Sequence, residues 1–235
     1  ELGIAPRLLG ALGKTEQFIV AWSIPAGPPT SRGGLIKHTA QLVLHHLTDG
    51  TTRVIGQGPI SETYTSLVGG NRYRLLRAPF TPTPRYAVRA DRIYQTDGVA
   101  YEVRVLDTGG RLRATIRGGK TRIPITDAVR RDVLARMDAS PPRAVETIRE
   151  MMSVHDCYPL VEDMIVDDVG QVWLRARSPQ GTADHWDVFS PAGPQLARVR
   201  MPSANRILDV AKGKLVVLER GRFDGVFFAD VLGIY

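Results

Sequence analysis

Residues 157–200 read CYPLVEDMIVDDVGQVWLRARSPQGTADHWDVFSPAGPQLARVR, and this stretch decides the fold. Two short apolar strands are joined at Asp168-Val169-Gly170, a longer loop follows, and two more strands are joined at Pro191-Ala192-Gly193. Glycine, proline and aspartate at those joints supply tight-turn geometry. The reading is a four-stranded antiparallel meander in about forty residues. Much of the remaining chain reads as imperfect copies of the same unit, which predicts an all-β protein.

Working outward, Tyr101–Leu106 alternates apolar and polar residues. Asp107-Thr108-Gly109-Gly110 is a tight-turn signal, and Arg111–Arg117 alternates arginine with Leu112, Ala114 and Ile116. Such a strand is half-buried, with long charged stems outside. Tyr73 and Leu75 read as part of a strand running up to Pro79 that opens the same unit, and Arg85–Arg89 and Asp91–Gln95 are two more short strands. Earlier still, Gln17–Trp22 is an apolar run, and Thr39–Leu47 with Thr52–Ile55 forms a hairpin around Asp49-Gly50 that Gly56–Pro59 is expected to close. Residues 1–16 are weakly patterned. Past the opening stretch, Asn205–Val210 and Leu215–Glu219 form a hairpin, and Gly225–Tyr235 supplies one last strand.

Helical periodicity is confined to 125–152. Thr126 or Asp127 caps a first helix with Val129, Val133, Leu134 and Met137 on one face. Ser140-Pro141-Pro142 starts a second, striped by Val145, Ile148 and Met152. Neither could fill a core alone, so the pair reads as an insertion between repeats within a single domain spanning 1–235.

Hydrophobic residues at 43% and charged residues at 23% describe an ordinary globular chain, with no apolar run long enough to span a membrane. Cys157 is the sole cysteine, so the fold holds by packing and not by a disulfide. Five lysines and twenty-six arginines give a net charge of +7. The arginines are dispersed along strands and no compact recognition motif accompanies them, which argues against nucleic acid as a partner. A small anionic ligand or a peptide suits the surplus better.

The strings Tyr158-Pro159-Leu160, Val166-Asp167-Asp168-Val169-Gly170-Gln171-Val172-Trp173-Leu174, Trp186-Asp187-Val188-Phe189-Ser190-Pro191-Ala192-Gly193 and Tyr101-Glu102-Val103-Arg104-Val105-Leu106-Asp107-Thr108-Gly109-Gly110-Arg111-Leu112 resemble the blade motifs of bacterial six-bladed β-propellers of the NHL and TolB-like type. The resemblance covers residues 85–235 well and residues 17–60 loosely. It implies a β-propeller of four-stranded antiparallel blades, and a periplasmic or secreted location. It does not imply one activity.

About four blades are counted here instead of six. The turns at Asp49-Gly50, Asp107–Gly110 and Pro191–Gly193 recur about 58 and about 84 residues apart, the longer gap holding the helices. The chain is then a short closed ring, part of a longer protein, or one of two chains sharing a ring. The last unit lacks a fourth strand, and closure is expected to come from the N-terminal segment. An open arc would instead self-associate through its blade edges.

Candidate chemistry centres on the loop leaving the helices. His155 and Asp156 precede the innermost strand of a blade, and an imidazole with a neighbouring carboxylate suits proton transfer. Glu162 and Asp163, with His185 from another strand, are candidate ligands for a divalent metal such as calcium. Asp167-Asp168 reads better as turn chemistry, and Trp22, Trp173 and Trp186 as core. Two functions stay open: a ligand- or protein-binding propeller, or a metal-dependent hydrolase of esters, lactones or phosphoesters acting in the central channel.

Overall fold

The computed structural model describes residues 7–12, 16–25, 34–69, 72–136, 142–176, 184–201, 206–220 and 227–233. They form antiparallel sheets with two helices, so the all-β expectation holds. The first sheet runs β1 (Arg7–Ala11), β2 (Gln17–Pro25), β3 (Gly34–His46), β4 (Thr52–Gly69) and β5 (Arg72–Leu76). The second runs β6 (Arg85–Arg89), β7 (Arg92–Thr96), β8 (Glu102–Asp107) and β9 (Leu112–Arg117). Helices α1 (Asp127–Ala135) and α2 (Pro142–Met152) follow. The third sheet is the stretch quoted first: β10 (Val161–Val166), β11 (Val172–Ala176), β12 (Asp184–Phe189) and β13 (Gln195–Met201). The last has three strands, β14 (Arg206–Ala211), β15 (Lys214–Arg220) and β16 (Phe227–Gly233).

The repeat has a physical basis in its turns. Asp107 Oδ1 accepts hydrogen bonds from the Gly109 and Arg111 amides, and Asp167 Oδ1 accepts from those of Val169 and Gln171. Each aspartate thereby closes the hairpin that its own strand enters, with Gly110 and Gly170 at φ 80° and 84°. Asp167 also accepts from the Trp173 indole, so it serves the turn as its sequence suggested.

Successive sheets meet through their first strands, β1 on β6, β6 on β10 and β10 on β14. A separate core fills each seam. Leu12, Ile19, Leu42, Leu44 and Ile55 meet Ile93 and Leu106 between the first two sheets. Tyr94, Tyr101, Val103, Val105 and Ile116 meet Met164, Val172, Leu174 and Phe189 in the next. Trp173, Trp186, Val188 and Met201 meet Ile207, Val210, Leu215 and Val217 in the last. Strand β7 is buried on both faces, Ile93 toward one seam and Tyr94 toward the other, hence its continuous apolar character. Each such side chain contributes about 1.5–3 kcal/mol when fully buried. Trp173 and Trp186 are core, as expected, while the side chain of Trp22 lies outside the described residues.

Three expectations need correction. Residues 7–11 form a strand, but it pairs with β2 and gives the first sheet five strands. It does not complete the last sheet, and among the described residues the sheets form no closed ring. Gly56–Pro59 does not end the first hairpin either. Between the pairs Thr39–Ile60 and Gln41–Gln57, Ala40 alone faces Gly58 and Pro59, a bulge that lets proline sit inside a strand. A side chain at Gly58 would meet the Tyr86 hydroxyl at 2.5 Å, so the glycine admits a ring from the second sheet. Last, Tyr73 and Leu75 belong to β5 at the edge of the first sheet, not to the next unit.

The helices lie at 127–135 and 142–152, within the expected insertion. Thr126 caps α1 by accepting from the Val129 amide. Met152 of the expected stripe is buried, together with Met151. Met137, Ser140 and Pro141 lie outside the described residues.

Candidate functional site

The seam between the first two sheets changes character along its length. Ile93 and Leu106 are paired across β7 and β8 and belong to its core. Two residues on, Gln95 and Arg104 are paired on the same face, because side chains alternate along a strand. The apolar seam thus opens into a polar groove. Its hollow of about 260 Å³ is lined by Gln95, Arg104, Lys37, Glu62, Pro82 and Val99 among others. A second hollow of about 250 Å³ shares Glu62, Pro82 and Val99 and continues along Arg122, His155, Cys157 and Tyr158.

The chain assembles this groove by tying the loop after α2 to two places. The Leu160 and Val161 amides donate to the Gly98 carbonyl at 2.8 and 3.2 Å, holding the loop against the β7–β8 turn. Gly98 has φ 80°, and a Cβ there would stand 3.1 Å from the Thr83 carbonyl. The Ile125 amide donates to Asp156 O and the Tyr158 amide to Ile123 O, so the two ends of the insertion run side by side. Arg130 of α1 donates to the His155 carbonyl at 2.9 Å and to that of Met152. On the other side, Tyr64 of β4 donates to Glu150 of α2 at 2.9 Å. Phe80, a bulky residue at φ 65°, places its ring edge-on to Tyr158 at 5.1 Å. Such a conformation costs about 1–3 kcal/mol and persists only where its surroundings hold it.

Inside the groove the charges largely pair off. His155 Nε2 stands 3.1 Å from Glu62 Oε2, both side chains largely buried. The contact has ion-pair distance but not hydrogen-bond alignment, since neither atom has a hydrogen-bond partner among the described residues. Lys37, opposite Glu62 in the β3–β4 ladder, reaches it at 3.9 Å. Glu102 is held by Arg117 at 2.7 Å, and Asp97 Oδ1 accepts from the Val99 and Ala100 amides. Arg104 is exposed and has no ion-pair partner among the described residues.

Gln95 is one of several buried groups with unpaired polar atoms, and it lines this groove. It is 1% exposed, yet among the described residues neither its carboxamide nitrogen nor its oxygen has a partner. A buried polar group left unpaired costs about 1–3 kcal/mol, so most buried groups are paired. Here a fully buried carboxamide lines a groove with both hydrogen-bonding atoms unpaired among the described residues.

Of the residues singled out from sequence, His155 is in this groove. Asp156 also lines it, but its side chain is 97% exposed and pairs with Arg130 at 3.7 Å. The two are neighbours in sequence and do not act on one another. Glu162 stands 3.8 Å from Arg175, and Asp163 3.5 Å from Arg85. His185 is on β12, opposite Arg200. The three are not brought together, and among the described residues no group of three His, Cys, Asp or Glu side chains is placed to hold a metal ion. Cys157 is half-buried on the groove wall.

A larger hollow of about 660 Å³ lies among turns and carries Arg89, Arg92 and Arg113. Its arginines already face Asp209, Asp91 and Asp107 respectively, so no cation there waits for a ligand.

No protein-family model matches the chain, and no curated protein matches it. A solved structure titled "Crystal structure of the eukaryotic initiation factor" is similar over 96% of this chain and 54% of that one, at 11% identity and a TM-score of 0.33. This chain therefore spans about half the length of that protein, and a likeness this low carries no argument about fold or function.

Proposed function

We propose that the chain is a binding protein of β-propeller type that takes a small polar ligand in the groove between its first two sheets. Support for the propeller is the run of meander sheets joined through their first strands, each seam filled by its own core. The observation that carries the binding reading is Gln95, whose buried donor and acceptor are unpaired among the described residues and lie beside a groove where Arg104 has no ion-pair partner among them either. A ligand that pairs them would relieve a cost the free protein bears. The hydrolase alternative has no comparable observation: His155 and Asp156 line one hollow but pair with Glu62 and Arg130 instead of each other, and among the described residues no three His, Cys, Asp or Glu side chains are placed to hold a metal ion.

The test is a thermal-shift and ligand-observed NMR screen of small polar molecules (carboxylates, amides, nucleosides) against the wild type and Gln95→Leu. A ligand at a hundredfold over its Kd stabilises by about 2.7 kcal/mol, which raises Tm by roughly 5–10 °C in a chain of this size. Binding should weaken at least tenfold in Gln95→Leu. Failure of every molecule to bind, or binding indifferent to Gln95→Leu, would overturn the reading.

A further inference from the structure

The groove's chemistry narrows the ligand, on the assumption that the binding reading above holds. We propose that it takes the carboxyl-terminal end of a short peptide, with Gln95 reading the main chain of the penultimate residue and Arg104 the terminal carboxylate.

The carboxamide of Gln95 offers two donor hydrogens and an acceptor oxygen, and neither heavy atom is paired among the described residues. An isolated carboxylate satisfies only the donors, and an ammonium only the acceptor. A group with one N–H and one C=O on the same side satisfies both, and an extended peptide residue presents that pair to one side. One residue farther along, about 3.5 Å, such a chain would end in its carboxylate.

Arg104 stands where that carboxylate falls. It is directly opposite Gln95 in the β7–β8 ladder, so the two Cβ atoms are about 4.5–5.5 Å apart. Arg104 lines the same hollow, is exposed and has no ion-pair partner among the described residues, so it can turn to meet a ligand. A guanidinium binds a carboxylate through two parallel hydrogen bonds. Pro59, Pro82, Val99 and Ala100 give the ligand's side chains an apolar wall.

Composition narrows the alternatives. The hollow of about 260 Å³ is at the small end of ligand pockets, whose range starts near 300 Å³. It suits the end of a peptide, with upstream residues passing Glu62 and His155 toward the second hollow. A glutamine can also read adenine, but the hollow around Gln95 has no aromatic side chain to stack a base.

The experiment uses N-acetyl tripeptides of mixed sequence, prepared with a free C-terminal carboxylate and as the C-terminal primary amide. Binding is measured by calorimetry on the wild type, Gln95→Leu and Arg104→Gln, with Tm recorded for each. The free acid is expected to bind the wild type at least tenfold more tightly than the amide. Arg104→Gln, a change at an exposed side chain, should abolish that preference while both forms still bind. Gln95→Leu should weaken both at least tenfold. Equal binding of acid and amide by the wild type, or a preference that survives Arg104→Gln, overturns the proposal even if Gln95→Leu fails to fold. If no peptide binds but another molecule from the polar screen does, and needs Gln95, the peptide assignment fails and the binding reading stands. If nothing binds and Gln95→Leu is more stable than the wild type, Gln95 holds an internal water only, and both fail.

Discussion

The seam between the second and third sheets contains a buried carboxylate whose contribution can be measured by removing one oxygen atom. Asp187 is 1% exposed. Its Oδ2 accepts from the Tyr101 hydroxyl at 2.8 Å, and its Oδ1 from Arg198 Nε at 2.6 Å and Gln195 Nε2 at 3.1 Å. Lys120 Nζ lies 3.5 Å from Oδ2. Tyr101→Phe deletes the hydroxyl and keeps the ring, which packs edge-on to Phe189. A hydrogen bond to a charged group contributes about 1.5–3 kcal/mol. Asp187 keeps Arg198, Gln195 and Lys120, so the lower half of that range applies. At about 2–4 °C per kcal/mol, Tm should fall by roughly 3–10 °C.

The pH dependence supplies a second reading of the same bond. Burial raises the Asp187 carboxyl, but hydrogen bonds from Arg198 and Tyr101 and the Lys120 charge outweigh it and hold the group below the ordinary aspartate value. A lowered folded-state value contributes stability that is present above the unfolded value near 3.9 and is lost as pH falls through the folded one. In acid the carboxyl is neutral, and hydrogen bonds between neutral groups are about half as strong. The gap between wild type and Tyr101→Phe should therefore be largest at pH 5–7 and shrink toward pH 2–3. Urea unfolding followed by tryptophan fluorescence would show this. A gap under about 0.5 kcal/mol at pH 7, or one that stays constant into acid, would refute the assignment of Asp187 as a charged staple between sheets.

Gly110→Ala should be severe. The residue has φ 80°, and a Cβ would fall 1.7 Å from the Ile55 carbonyl oxygen, forcing the β8–β9 turn off the first sheet. A loss of more than about 2 kcal/mol is expected, against a change within about 0.5 kcal/mol for Gly119→Ala, where nothing lies within 4 Å; soluble yield and Tm compare the two. His38 is 3% exposed with neither ring nitrogen bonded among the described residues, and burial lowers its pKa. The unfolded chain then binds a proton near pH 6.5 that the folded chain resists, so wild-type stability should decline as pH falls below about 6.5, by at most about 1.4 kcal/mol per pH unit. His38→Phe should flatten that decline in denaturation curves from pH 8 to 5.

The elements that were legible in the sequence are those whose turns carry their own chemistry. In β10–β13, Asp167 and Gly170 write the first turn and Pro191-Ala192-Gly193 the outer one, so the meander follows from local residues. The strands that were not legible depend on partners elsewhere. Arg7–Ala11 is short, has no apolar alternation, and is a strand because β2 offers an edge. Gly58-Pro59 reads as a break in any local account, and is a bulge because Ala40 faces both residues and Tyr86 fills the space above the glycine. Closure was inferred from a missing fourth strand in the last unit, but strand counting cannot say which sheet a terminal segment will join.

The site divides the same way. His155 was visible as a histidine in a loop between repeats, and the sequence paired it with its neighbour Asp156. The backbone separates them: the Asp156 carbonyl is taken by the Ile125 amide while its side chain turns outward to Arg130. The carboxylate that does meet His155 is Glu62, on a strand of the first sheet that local reading ended before reaching it. Gln95 left a fainter trace. It shares a strand face with Ile93, and a strand buried on both sides is a costly place for a carboxamide. Alternation places it in the seam, and pairing with Arg104 follows from the β7–β8 hairpin register. What no local pattern encodes is that, among the described residues, nothing from the first sheet arrives to pair with it. The unpaired carboxamide is a property of the assembled seam, at the point where the apolar core stops at Ile93 and Leu106 and sheet packing gives way to a polar groove.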